Sequence, residues 1–97
     1  MQKSLAVFFS FLACSTIAAP QSQLANCLAC HQQGSTSAPT FRQIAHKYAD
    51  QPAAVQTLSN KIRNGSTGTW GTTSMPANPG ITDADAKQLA SWVLKQK

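Results

Sequence analysis

Cys27-Leu28-Ala29-Cys30-His31 places two thiols three positions apart, with an imidazole directly after the second. On a helix, residues at that spacing share one face. Each thiol can then add to one vinyl group of a single porphyrin while the imidazole comes under its iron, the pattern of c-type haem attachment. The bare C-x-x-C pair also serves zinc and thiol-redox sites. Zinc needs two further Cys or His ligands at suitable spacing, and downstream only His46 remains. A thioredoxin-like site needs a βαβ context, yet no stretch alternates with period two. One haem c, covalent through Cys27 and Cys30 with His31 as an iron ligand, is therefore expected.

Upstream, Lys3 supplies a positive charge and residues 5–13 form an apolar run, followed by small and polar residues up to Ala19. That order is a secretory signal peptide, too short for a permanent membrane span. Residues 1–18 are read as the signal and residues 19–97 as one domain, with cleavage after Ala18 or Ala19. Leu12-Ala13-Cys14 also resembles a lipobox, so a lipid anchor on Cys14 is the alternative; membrane association is expected only in that case. Removal of the signal leaves two of the three cysteines and seven basic side chains against Asp50, Asp83 and Asp85. A net charge of about +4 without a dense Lys/Arg run argues against a nucleic-acid partner. About 79 residues make a marginal core, and a cofactor would staple it.

Downstream, four short helices are expected. The first covers residues 22–30, with Leu24 and Leu28 on one face. Residues 32–39 read as a loop. Thr40-Phe41-Arg42-Gln43 has the form of a capping box, and Phe41, Ile44, Ala45 and Tyr48 follow as one apolar stripe. A third helix is expected from Pro52 with Asp50 as N-cap, facing inward through Val55, Leu58 and Ile62 and ending at Asn64-Gly65. The last starts at Thr82, buries Ala86, Leu89, Ala90 and Val93 with Trp92 beside them, and ends with Lys95 and Lys97. The fold class is all-α.

Between the last two helices, residues 66–80 look too broken by Gly, Pro, Ser and Thr for regular structure, and a long loop in a small domain is usually functional. It holds Met75, the only methionine besides Met1, directly before Pro76. A thioether as second axial ligand raises the reduction potential of a haem and suits electron transfer. His46, between Ala45 and Lys47 on the polar side of its helix, is the competing ligand.

Beyond residues 27–31, the segments 38–41, 61–65, 66–71, 74–78 and 89–94 resemble the small bacterial class I cytochromes c of the c-551/c-552 type over nearly the whole mature chain. The resemblance implies four short helices wrapped around one haem, thioethers at Cys27 and Cys30, and His31 and Met75 as the iron's axial ligands. It further implies that the Pro39 carbonyl accepts a hydrogen bond from His31, and that Trp70, with Lys61, meets a haem propionate. Asn78 would lie near the Met75 sulfur. One departure is that Gln21–Asn26, before the first cysteine, carries no aromatic residue and no glycine, so a weaker contact between the terminal helices is expected.

A six-coordinate iron disfavours substrate chemistry, so the expected role is a monomeric periplasmic one-electron carrier and not an enzyme. Donor dehydrogenases or cytochrome complexes and acceptor oxidases or reductases are the expected redox partners. Arg42, Lys47 and Lys61 are candidates for steering acidic partners, or are simply solvated faces. The alternatives are a haem subunit held permanently in a dehydrogenase or reductase complex, and a sensor or peroxidase with Met75 displaced.

Overall fold

A computed structural model describes residues 6–7, 21–32, 34 and 36–97. Apart from Ala6 and Val7, the expected signal peptide lies outside these residues, as does Cys14. Four helices and one hairpin follow in the order α1 (Gln21–His31), α2 (Phe41–Lys47), α3 (Ala54–Asn64), β1 (Ser66–Gly68), β2 (Gly71–Met75) and α4 (Asp83–Leu94). The expected all-α class holds for the four helices, and a small two-stranded sheet is added to them.

Helix α2 begins as its capping box directs. The Thr40 hydroxyl accepts from the Gln43 N–H at 3.1 Å, and the Gln43 side chain accepts from the Thr40 N–H at 2.8 Å. Two donors that a helix start would leave orphaned are thereby satisfied. Thr82 caps α4 with the first half of that arrangement, its hydroxyl accepting from the Asp85 N–H at 3.1 Å. Helix α4 ends at Leu94, with Lys95 as its C-cap.

Helix α3 departs from expectation at its start. Ala53, not Asp50, is the N-cap, and it makes no side-chain cap bond. The chain first turns through Pro52, with the Ala54 N–H donating to the Gln51 carbonyl at 3.1 Å, and helical bonding begins with Thr57 N–H to Ala53 O at 2.9 Å. The fixed φ of proline suits the first corner of such a turn.

The core lies where α2 and α3 pack on α4. Ile44, Tyr48, Ala54, Leu58, Ala90 and Val93 are buried together, and Phe41, Val55, Ile62, Trp92 and Leu94 pack around them. Apart from Ala54 and Leu94, those residues belong to the expected stripes, and Ala86 and Leu89 are buried on α4 as well. Aromatic geometry extends the packing, since the Phe41 ring meets the Trp92 ring edge-on at 5.2 Å and 85°.

Helix α1 is the exception. Leu28 is 42% exposed, whereas Leu24 is half-buried, so the two do not share a packed face. The inward face of α1 runs instead through Leu24, Cys27 and His31, spaced three and four apart. Its link to α4 is polar, with the Gln23 amide donating to the Asp85 carboxylate at 3.1 Å. That contact is a hydrogen bond and not aromatic packing, as the lack of an aromatic residue in positions 21–26 requires.

Residues 66–75 correct the sequence reading. They form an antiparallel hairpin in which Ser66 pairs with Met75 and Gly68 with Gly71, leaving Thr69-Trp70 as the turn. Alternation was invisible because most of both strands is exposed and no apolar face is needed. The signal that was present is a threonine-rich run with a glycine on each side of a two-residue turn. Gly68 and Gly71 have φ of +79° and +101°, a region that glycine enters at little cost.

Candidate functional site

The helices and the hairpin enclose a cleft of about 510 Å³. From α1 it is lined by Leu24, Cys27, Cys30 and His31; Met75 and Trp70 line it from the hairpin. Apolar side chains of the helical core, among them Ile44, Leu58 and Val93, complete the lining. An apolar hollow of this volume lies within the range of ligand pockets, roughly 300–1,000 Å³.

Helix geometry brings the two thiols to the cleft together. Cys27 is half-buried and Cys30 exposed, and neither is in a disulfide. Burial pushes the Cys27 thiol above its ordinary pKa, with a backbone hydrogen bond opposing that rise.

His31 ends α1 and is held from two directions. Its Nδ1 lies 2.7 Å from the Pro39 carbonyl oxygen. A carbonyl only accepts, so Nδ1–H donates and the lone pair of the neutral ring is on Nε2. The Phe41 ring stacks on the imidazole at 5.4 Å and 23°. Because the capping box sets the path at Thr40, the Pro39 carbonyl on one side of it and the Phe41 ring on the other both reach His31.

Met75 ends β2, and its backbone is set by α3. Gly65, the C-cap of α3, has φ +82°, and a Cβ there would stand 2.7 Å from the Met75 carbonyl oxygen. Asn78 follows within the same loop. Its backbone N–H donates to the Ile62 and Arg63 carbonyls at 3.1 and 3.2 Å, and its side-chain amide donates to Ile62 O at 3.0 Å and Pro76 O at 3.3 Å. Those bonds cap the open carbonyls at the end of α3. Asn78 thus lines the cleft but spends its amide hydrogens on carbonyls, bracing the segment that follows Met75.

Lys61 lines the cleft too, with its ammonium donating to the Ser66 hydroxyl at 3.2 Å and the Thr69 hydroxyl at 3.0 Å. Trp70 is 43% exposed, and the Lys47 ammonium stands 5.3 Å from its ring centre. His46 is exposed on α2 and does not line the cleft, which leaves it outside the group of candidate ligands. Among the described residues no three His, Cys, Asp or Glu side chains converge as a metal cage would require.

The structure therefore gathers Cys27, Cys30, His31, Pro39, Lys61, Trp70, Met75 and Asn78 around one hollow. The sequence places Phe41 in the core stripe and Gly65 at the end of the third helix, but shows neither the contact of Phe41 with His31 nor that of Gly65 with Met75. The signal for Gly65 was its place after the last apolar residue of a helix, and its approach to Met75 depends on contacts distant in the chain. The donor set fits a flat apolar macrocycle with two reactive vinyl groups and a central iron: two thiols on one helical face, an oriented imidazole and a thioether around a mainly apolar cradle.

Comparison with known proteins agrees with this geometry. The family model for cytochrome c matches residues 18–97. The chain is 48% identical over 73 residues to cytochrome c-552 of Nitrosomonas europaea, covering 74% of this chain and 71% of that protein. It is 40% identical to cytochrome c-552 of Hydrogenobacter thermophilus over 99 aligned positions that cover both chains in full. Among solved structures, the crystal structure of the Nitrosomonas europaea protein superposes with a TM-score of 0.72 at 45% identity, covering 78% of this chain and 95% of that one.

Proposed function

The chain belongs to the cytochrome c family, and from that premise we propose that it is a periplasmic one-electron carrier with His31 and Met75 as axial ligands of its iron. Membership brings a covalently bound haem c, electron carriage as the general role, and redox proteins as partners. When bound, the haem supplies a single iron centre that cycles between ferric and ferrous states.

The residues supply everything else. Cys27 and Cys30 are the thiols available for thioether bonds, and their shared helical face fixes the spacing of the two attachments. The Pro39 carbonyl fixes the tautomer and ring angle of His31 and leaves Nε2 as the nitrogen that would hold the iron. Phe41, stacked on the imidazole, limits its rotation. Met75 offers a soft thioether that favours the ferrous state. With His31 and Met75 both holding the iron, no position would be open for a substrate, so the proposed role is that of a carrier and not of an enzyme. The rigid apolar walls limit reorganisation as the charge changes.

The observation that carries the reading is that an oriented imidazole and Met75 line the same cleft. Visible spectra of the exported protein, oxidised and reduced, test it. The oxidised protein is expected to show the methionine-to-iron charge-transfer band, and Met75→Ala to lack it. Rapid carbon monoxide binding by the reduced wild type at neutral pH would overturn the closed site.

Export rests on the tripartite pattern of residues 1–18. Among the described residues no helix is long and apolar enough to cross a membrane. The carrier is proposed to leave the membrane after cleavage and to work as a monomer. It would accept electrons from a dehydrogenase or cytochrome complex and deliver them to an oxidase or reductase.

A further inference from the structure

The hairpin that ends in Met75 has little burial of its own to hold it. Most of both strands is exposed, Trp70 at the turn is 43% exposed, and glycines of positive φ stand on either side of the turn. Two cations reach this turn from two different helices. Lys61 of α3 donates to the Thr69 hydroxyl at 3.0 Å, and Lys47 of α2 stands over the Trp70 ring at 5.3 Å. That distance lies within the cation–π range of about 6 Å. The stem of Lys47 starts from an anchored point, since its own carbonyl accepts from the Gln51 amide at 3.4 Å.

We propose that Lys47 is a positioning residue for Trp70, its ammonium pinning the indole and with it the hairpin tip at the rim of the cleft. Lys61 fixes the turn at Thr69 and Lys47 fixes it one residue later, so the turn is tied to α3 and α2 at once. The indole of Trp70 lines the cleft, and its attitude there follows from which face Lys47 covers. A second consequence is electrostatic. The tethered ammonium keeps a positive charge at the rim, which favours the reduced state of a redox centre in the cleft. Only this second consequence rests on the function proposed above.

The test uses the haem-loaded protein with Lys47→Gln and Lys47→Arg, each also in a Trp70→Leu background. Amide hydrogen exchange over residues 66–75 reads the tether directly. Lys47→Gln is expected to speed that exchange about twofold to fivefold, the factor that an exposed cation–π contact is worth, with α3 and α4 unchanged. Lys47→Arg is expected to restore the rate, because guanidinium also stacks on indole. In the Trp70→Leu background Lys47→Gln should have no further effect, the mark of a pairwise contact. The reduction potential should fall in Lys47→Gln and hold in Lys47→Arg. A lowered potential with unchanged exchange would overturn positioning and leave a distant charge effect. Equal effects of Lys47→Gln with and without Trp70 would overturn it as well. A wild type without the methionine band would sink the axial reading, while the exchange comparison would still decide the role of Lys47.

Discussion

The Gly65 α-carbon packs so closely on the Met75 carbonyl that a Cβ would stand 2.7 Å from its oxygen, 3.1 Å from Ala77 N and 3.3 Å from the Pro76 carbonyl carbon. Every one of those neighbours is backbone, so none can swing aside as a side chain would. With φ at +82°, Gly65 is also in a region that strains any L side chain. One glycine thus ends α3 and sets how near the Met75 segment lies to it.

Gly65→Ala is accordingly expected to destabilise the protein by about 1–3 kcal/mol, the scale of backbone strain at a forced position. It should also push the Met75 segment outward and weaken the methionine band. Guanidinium unfolding together with the oxidised spectrum checks both; an unchanged midpoint would show that the loop yields without cost.

The Thr40 and Thr82 hydroxyls each accept from the N–H three residues on, and Ala at either is expected to cost about 1 kcal/mol. Only Thr40 adjoins Pro39, whose carbonyl holds His31 at 2.7 Å. Thr40→Ala should therefore alter the haem spectrum and the reduction potential, while Thr82→Ala changes stability alone. Equal spectral effects from the two would sever the capping box from the imidazole.

Leu89 is 2% exposed where α4 meets both the core and the cleft. Leu89→Ala is expected to lose about 2–5 kcal/mol, combining lost transfer energy with the cavity left behind. A loss below about 1 kcal/mol, measured by thermal or denaturant unfolding, would mean that the helices close over the gap.

Without haem attachment, the cleft of about 510 Å³ has no group to fill it. A Cys27→Ala, Cys30→Ala chain is expected to lose most helical circular dichroism and cooperative unfolding, since a group that binds only the native state contributes its binding energy to folding. A sharp unfolding transition in that variant would show that α2, α3 and α4 suffice.

Mass spectrometry of the exported protein is expected to place the N-terminus at Ala19. A start at Pro20 would move the cleavage by one residue. A diacylglycerol mass on Cys14 would replace the diffusing carrier with a tethered one.

The resemblance carried by short segments of the sequence set out most of the site, because the chemistry of Cys27, Cys30, His31 and Met75 resides in residue type and spacing. Helical stripes were equally legible, since α2, α3 and α4 each bury one face against the others. The hairpin was not, because an exposed sheet needs no apolar alternation and so leaves none to read. Leu28 misled for a related reason: a shared face at i and i+4 is set by the helix, but whether anything covers that face depends on a neighbour. Asn78 stood within the recognised segments, yet its bonds to Ile62 and Pro76 follow from where α3 ends.

By itself, then, the sequence determined that two thiols and an imidazole share one helical face, that four amphipathic or capped segments are helices, and that Met75 is available as a thioether. Those properties are local, arising from side-chain chemistry and the helical repeat. The tertiary structure decided that His31 donates to Pro39, that Gly65 admits the Met75 backbone, and that Lys47 covers Trp70. Each of these is a meeting of residues from separate elements, determined by how α2, α3 and α4 pack and by where that packing leaves the cleft.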